Sequence, residues 1–176
     1  TNDVSKRKDI ENGYYAVGNP AILATGAPSI NSGYYWFFDT KSGGDHTDGK
    51  GAVLAVNAGK ILNEYYRRPV SLEPGATYEL SAAFYITNSD AASRFEIQQT
   101  ATGDLLAKSN VFGDHWSATE KIGTQAWVVK TFQFTVPSTC SADTNYSASL
   151  RNMSASNNNN DFYADDIQLV KVASAT

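Results

Sequence analysis

The chain has 176 residues and a mass of 19.0 kDa, which suits a single domain. Its net charge of −4 argues against nucleic acid or an anionic membrane as the main partner, because both favour a basic surface. No apolar run approaches the roughly 20 residues of a membrane-spanning helix, so we expect no membrane insertion. The single cysteine, Cys140, excludes an internal disulfide and a cysteine-based metal site.

Short alternating or aromatic-rich segments recur along the chain and are separated by Gly, Pro, Asn and Asp, without sustained helical periodicity. In chain order they predict nine strands, at residues 33–40, 51–58, 64–72, 77–88, 93–102, 105–110, 126–137, 145–154 and 160–172. Strands without helices predict an all-β fold, a single antiparallel two-sheet β-sandwich. We expect the domain to span residues 9–172, with residues 1–8 and 173–176 as the ends of linkers to flanking domains of a longer chain.

The alternating residues also predict the core, because every second side chain of a strand points to the same face. The expected core residues are Leu72, Tyr78, Leu80, Phe84, Phe132, Phe134, Ile167 and Leu169. In the last strand, Asp165 has the same parity as Ile167 and Leu169, so simple alternation directs a carboxylate inward. A buried carboxylate is costly unless it is paired or coordinates a cation.

Four motifs suggest a family. The segments "VSLEPGATYELSAAFYI", "AWVVKTFQFTVP" and "NDFYADDIQL" resemble, in that order, the jelly-roll domains of carbohydrate-binding modules, which are galactose-binding-like sandwiches. The segment "GGDHTDGKGAVLAV" resembles the D-H-T motif of MAM-like adhesion domains. Bacterial adhesins and secreted glycan-active proteins carry such jelly rolls. The resemblance implies the fold more strongly than the ligand, since this architecture hosts many functions.

The resemblance also implies one structural Ca²⁺, a cation that prefers oxygen ligands from carboxylates and backbone carbonyls. The acidic residues at the corresponding places are Asp45, Asp165, Glu11, Asp48 and Asp9. Asp45 belongs to the MAM-like motif and Asp165 has the inward parity. The alternative is that these acids are solvated or paired with Lys50 or Arg68.

Sugar recognition combines aromatic faces with planar polar side chains, and the chain is rich in both. The candidate ligand-binding residues are Trp116, Tyr85, Gln98, Arg151, Tyr65 and Arg67. Glu96 lies on the same outward phase of its strand as Gln98. Trp116 lies in a predicted loop, and an exposed tryptophan is costly without a partner. The alternative is that Tyr85 and Gln98 are ordinary surface residues.

We therefore expect a non-catalytic, extracellular or cell-surface glycan-binding module of a larger bacterial adhesin or secreted protein. A protein-binding or architectural adhesin domain is the alternative. A hydrolase or lyase is disfavoured, because the chain has no nucleophile elbow, phosphate-binding glycine loop or histidine-rich metal set.

Overall fold

The structure is a computed structural model that describes residues 8–10, 13–18, 45–49, 53–156 and 159–176. All regular elements in these ranges are strands: β1 Lys8–Ile10, β2 Gly13–Gly18, β3 Val53–Asn57, β4 Glu64–Val70, β5 Thr77–Ile86, β6 Ala92–Gln99, β7 Leu105–Lys108, β8 Phe112–Gly113, β9 Glu120–Lys121, β10 Trp127–Thr135, β11 Tyr146–Asn152 and β12 Phe162–Ala173. The predicted all-β class is confirmed. The predicted strand at 33–40 lies outside the described residues.

The strands form two sheets that face each other. The first has the order β1-β2-β3-β12-β5-β10, and the second has the order β4-β11-β6-β8-β9, with β7 pairing with β6. All pairs are antiparallel except β8 with β9. The architecture is thus a β-sandwich of the jelly-roll type. None of the described residues forms a helix of the length and apolarity that crossing a membrane requires.

The core lies between the sheets and follows the alternation of the sequence. Tyr78, Leu80 and Phe84 of β5 are buried in it, and Phe134 of β10 stacks on Tyr78 with ring centroids 5.8 Å apart. Leu72 is also buried. The remaining predicted core residues pack against the cluster while partly exposed: Phe132, Ile167 and Leu169. The predicted core is confirmed.

The last strand departs from simple alternation. Asp165 pairs with Ala83, but the next pairing is Gln168 with Ser81, so β12 bulges between them. Asp166 has a φ of 49° at this bulge. Asp165 therefore lies on the outer face of its sheet, in line with Ala83, and the inward direction expected for it is wrong. The extra residues restore the inward phase at Leu169, which pairs with Leu80.

A second irregularity lies in β4. Leu150 of β11 pairs with Tyr66, but the next residue, Arg151, pairs with Glu64, which leaves Tyr65 as an extra residue. As a result Tyr65 and Tyr66 both lie on the inner side of the strand, whereas Glu64 lies on the outer side.

Candidate ligand-binding face

The outer surface of the sheet formed by β4, β11 and β6 carries mostly polar side chains. Phe95 and Ile97 of β6 and Leu150 of β11 belong to the core, so the residues that alternate with them point outward. We call these outward residues the polar face: Glu64, Arg67, Arg94, Glu96, Gln98, Ser147, Ser149 and Arg151.

The register arranges the polar face in rows across the strands. The paired residues are Arg94 with Arg151, Glu96 with Ser149, Gln98 with Ser147, Arg151 with Glu64, and Ser149 with Arg67. Residues directly opposite on antiparallel strands have Cβ atoms about 4.5–5.5 Å apart. Side chains that are distant in sequence therefore meet on this face.

Glu96 is at the centre of the polar face and is fully buried, with 0% of its surface exposed. Its Oε1 accepts hydrogen bonds from Nε of Arg94 at 2.8 Å and from Nε of Arg151 at 2.9 Å. Nη2 of Arg94 lies 2.5 Å from the same oxygen. Since a buried charge is stable only when it is paired, the two guanidinium groups hold this carboxylate in place.

Glu64 connects the other charged residues of the face. Its Oε1 accepts hydrogen bonds from Nη2 of Arg151 at 3.2 Å and from Nε2 of Gln98. Its Oε2 lies 3.4 Å from Nε of Arg67. Arg151 also donates from Nη1 to the carbonyl of Leu62 at 2.8 Å. Three arginines and two glutamates thus form one network with a formal charge of +1.

Two buried polar atoms of this face lack a hydrogen-bond partner within the described chain, Oε2 of Glu96 and Oγ of Ser149. Their residues are directly opposite each other in the register. An unsatisfied buried polar atom costs about 1–3 kcal/mol. In contrast, Oγ of the neighbouring Ser147 forms a hydrogen bond of 2.8 Å with Oγ1 of Thr100. The unsatisfied atoms therefore mark one point of the face at which hydrogen-bonding capacity is unused.

Trp116 lies at the end of the same sheet, in the loop after β8, and 84% of its surface is exposed. It borders a surface cavity of about 330 Å³ together with Asp90, His115, Ala155 and Ser156. Because β8 pairs with the start of β6, the loop of Trp116 lies at the end of the sheet where β6 begins. The predicted loop tryptophan is thus an exposed aromatic surface at one end of the sheet that carries the polar face.

The close approach of β8 to β6 depends on Gly113. Its φ is 149°, and a Cβ atom at this position would lie 2.2 Å from the carbonyl oxygen of Ala91. Only glycine fits here without displacement of the backbone. Gly113 therefore fixes where the Trp116 loop begins.

The other two predicted ligand-binding aromatics lie elsewhere. Tyr65 is 5% exposed, and its hydroxyl contacts Oγ of Ser93 at 2.6 Å inside the sandwich. Burial raises the pKa of Tyr65 well above its ordinary value, while the hydrogen bond to Ser93 opposes this shift. The expected shared face of Tyr65 and Arg67 is wrong because of the bulge in β4. Tyr85 lies on the outer face of the opposite sheet, 1% exposed, and its ring packs against those of Tyr163 and Trp127.

The predicted metal-binding acids are partly brought together. The loop of residues 45–49 lies against the bulge of β12, where Oδ2 of Asp165 accepts a hydrogen bond from the backbone N–H of His46 at 2.9 Å. Oδ1 of Asp165 accepts from the backbone N–H of Asp166 at 2.8 Å. Oδ1 of Asp45 accepts from the backbone N–H of Asp48 at 3.1 Å.

The pKa values at this bulge move in opposite directions. Burial raises the pKa of Asp165, and the charges of Asp166 and Asp45 add to this shift, against the backbone hydrogen bonds that it accepts. The pKa of Asp166 is lowered, chiefly by its 2.7 Å hydrogen bond with Nδ1 of His46 and also by that from Thr47. The environment thus separates the pKa values of these two neighbouring carboxyl groups, with that of Asp165 raised and that of Asp166 lowered.

These contacts are a test of the expected calcium site. Both oxygens of Asp165 and both oxygens of Asp166 already accept hydrogen bonds from the protein. Among the described residues, no group of three or more His, Cys, Asp or Glu side chains has an arrangement that fits a metal ion. Glu11 and the side chain of Asp9 lie outside the described part. A calcium ion at this loop would therefore need ligands besides the described side chains, such as backbone carbonyls.

Sequence reasoning missed two members of the polar network, Arg94 and Glu64. The alternation of "RFEIQ" contained a usable signal, since Arg94 has the same parity as Glu96 and Gln98. For Glu64 there was no local signal, because its place opposite Arg151 depends on the bulge in β4.

No family model matches the chain, and no curated protein matches it. Among solved structures, a cyclase from Fischerella sp. TAU in complex with 4-(1H-indol-3-yl)butan-2-one is 14% identical, with a TM-score of 0.62 over 96% of this chain and 80% of the cyclase. An arabinose-bound α-L-arabinofuranosidase (MgGH51) is 15% identical, with a TM-score of 0.54; the alignment covers 97% of this chain but only 24% of that enzyme. A family 16 carbohydrate-binding module is 24% identical over 68% of this chain and 77% of the module, with a TM-score of 0.40. The similarities to the cyclase and to the arabinofuranosidase establish the sandwich fold and no more.

Proposed function

We propose that this chain is a non-catalytic glycan-binding module and that the sugar binds on the polar face. The observation that carries the proposal is the pair of unsatisfied buried atoms, Oε2 of Glu96 and Oγ of Ser149. A sugar hydroxyl both donates and accepts hydrogen bonds. One hydroxyl group, or two neighbouring ones, would satisfy both atoms, donating to the carboxylate and accepting from the serine.

The surrounding side chains support the same ligand class. Arginine, glutamate and glutamine present planar groups that hydrogen-bond to the rim of a sugar ring, and the strand register places these groups side by side. Trp116 at the end of the sheet adds an aromatic surface for the apolar face of a sugar unit.

Access to the unsatisfied atoms requires side-chain movement, because Glu96 and Ser149 are buried. The long side chains of Arg94 and Arg151 retain exposed fractions of 18% and 24%. For a sugar to reach Glu96 and Ser149, one of these arginine side chains would have to change rotamer, and a hydroxyl group would then take over the hydrogen bond that it leaves.

Recognition explains this face better than catalysis does. Both carboxylates of the polar face accept hydrogen bonds from arginines, and the charges are thereby held in fixed positions. The fold also occurs in a cyclase and in a glycosidase, so analysis of the products after incubation with a bound glycan belongs in the test.

The cellular setting is a further part of the proposal. The low cysteine content and the Ser-, Thr-, Asn- and Tyr-rich composition support an extracellular or cell-surface module of a bacterial adhesin or secreted protein. Within such a protein, several weak sites would act together, since multivalency raises avidity without new contacts. A structural Ca²⁺ at Asp45 and Asp165 remains a prediction, which requires ligands beyond the described acids.

The test is a glycan array followed by titration of the best ligand against two matched serine variants. Ser149→Ala removes a buried hydroxyl that has no hydrogen-bond partner among the described residues, so stability should stay the same or increase. Binding should weaken about three- to tenfold through the loss of one hydrogen bond. Ser147→Ala, on the same strand and face, removes a hydroxyl already bonded to Thr100 and should lower stability with little effect on binding.

The contrary results are equally specific. Equal glycan affinities of the Ser149→Ala variant and the wild type would show that the glycan does not bind at the polar face. An array that stays blank with calcium present, while a host protein binds, would favour the protein-binding or architectural alternative. Chemical conversion of the bound glycan would show that the chain is an enzyme.

A further inference from the structure

A second cavity lies between the two sheets, on the side where β4 is the edge strand. Its volume is about 440 Å³. Small-molecule sites in proteins have volumes of about 300–1,000 Å³. The walls are formed mainly by the inward side chains of three strands: Tyr66 and Arg68 of β4, Tyr78 and Leu80 of β5, and Ile167 and Leu169 of β12.

The strand pairing explains why this space exists. Among the described strands, β4 pairs with β11 only, so its other edge is free. β12 pairs with β3 only at Phe162, Tyr163 and Ala164. Beyond the bulge at Asp165, the rest of β12 pairs with β5 alone among the described strands. Among the described strands, none pairs with the free edge of β4 or with the β3 side of β12 beyond the bulge.

Arg68 gives the cavity its charge. It pairs with the buried Ala148, so its side chain leaves the strand on the inner side, toward the cavity, although the residue itself is exposed. No described residue forms a hydrogen bond or an ion pair with its guanidinium. The nearby Lys171, in contrast, is paired with Glu73 at 2.8 Å. Among the described residues Arg68 thus has no ion-pair partner, and it borders a cavity whose walls combine apolar and aromatic side chains with the polar Ser71 and Gln168.

We propose that this cavity binds a small amphipathic monocarboxylate, such as a medium-chain fatty acid. The apolar body would lie against Leu80, Leu169 and the ring of Tyr66, and the carboxylate would form a bidentate pair with Arg68. This site is separate from the polar face, because Arg67 and Arg68 are successive residues of a strand and point to opposite sides. The two binding activities are therefore independent.

An inward-pointing charge on an edge strand also has a simpler role, since it prevents edge-to-edge pairing with another chain. That role predicts self-association of an Arg68 variant and no binding of a fatty acid. The two explanations differ in what they predict for a ligand titration.

The experiment is isothermal titration calorimetry of decanoate, below its micelle concentration, into the whole chain at pH 7.5. Decanol is the neutral comparison, and octanoate tests the apolar contact. We expect decanoate to bind at least tenfold more tightly than decanol. Octanoate, which has two methylenes fewer, should bind about fifteenfold more weakly than decanoate, because each buried methylene contributes about a fourfold factor.

Two variants locate the site. Arg68→Gln should weaken decanoate binding at least tenfold and abolish the preference over decanol, whereas Arg67→Gln, on the opposite face of the same strand, should leave decanoate binding unchanged. Ala148→Leu should block binding by filling the cavity, and the chain-length series provides the same information if this variant does not fold. Absence of decanoate binding, or binding that is insensitive to Arg68→Gln, would overturn the proposal. Self-association of the Arg68→Gln variant would instead show that Arg68 prevents edge-to-edge pairing of β4.

Discussion

Replacement of Asp161 by asparagine should change the stability of the chain in a pH-dependent way. The free energy of unfolding of the variant minus that of the wild type should be larger at alkaline pH than at acidic pH. Asp161 is 1% exposed, and its Oδ1 has no hydrogen-bond partner among the described residues. Its Oδ2 accepts one hydrogen bond, of 3.3 Å, from Asn88. Burial raises the pKa of Asp161 from 3.8 to about 7, against the smaller opposing effect of this hydrogen bond.

The sign follows from proton linkage. Because the folded chain retains the proton to higher pH than the unfolded chain, this group lowers stability as the pH rises from 3.8 to about 7. The difference in pKa corresponds to about 4 kcal/mol, at about 1.4 kcal/mol per pH unit. The asparagine side chain of the variant cannot ionise, so the stability of the variant does not fall in this way as the pH rises. Any loss of stability from burying the N–H group of asparagine is the same at every pH.

The assay is urea denaturation of the wild type and Asp161→Asn between pH 4 and pH 8.5. The free energy of unfolding of the variant minus that of the wild type should increase by about 4 kcal/mol across this range. Asp104→Asn, at an exposed position, controls for the loss of a surface charge. A difference between variant and wild type that does not change with pH would refute the reasoning.

Three further predictions concern the core, the metal and the aromatic surface. Phe134→Ala should cost about 3–5 kcal/mol in urea denaturation, because the ring is 7% exposed and stacks on two others; a cost below about 1 kcal/mol would contradict its place in the core. EDTA should lower the melting temperature and Ca²⁺ should restore it, and Asp45→Asn or Asp165→Asn should abolish this response. An unchanged melting curve in chelator would leave these acids as the anchors of the loop at residues 45–49. Trp116→Ala should weaken glycan binding and leave the melting temperature nearly unchanged, since 84% of the residue is exposed; unaltered affinity would exclude it from the site.

Much of the fold was predictable because the long strands alternate cleanly. In β5 every second residue is apolar, and in β10 the inward residues Val128, Phe132 and Phe134 are apolar while Lys130 is not; this pattern predicts both strands and their buried faces. The short strands β8 and β9 have two residues each, too few to form a pattern. Their position depends on backbone pairing with distant residues rather than on local propensity.

The candidate site was predictable only in part, for two physical reasons. Gln98, Arg151 and Arg67 were identified from parity, but their contact requires β11 to lie between β4 and β6, which the order along the chain does not specify. In addition, a bulge inserts residues and reverses the parity that follows it. This reversal moved Tyr65 into the core and Asp165 to the outer face, against the alternation of the sequence.

The most direct test of the glycan-binding face is a nuclear magnetic resonance titration with the best glycan from the array. The Nε–H groups of Arg94 and Arg151 both donate to Glu96 and give resolvable side-chain signals. If the sugar binds at the unsatisfied atoms, these two signals should shift progressively and saturate together with the backbone amide of Ser149. Shifts confined to the opposite sheet, around Tyr85 and Tyr163, with these arginine signals unchanged, would contradict the account.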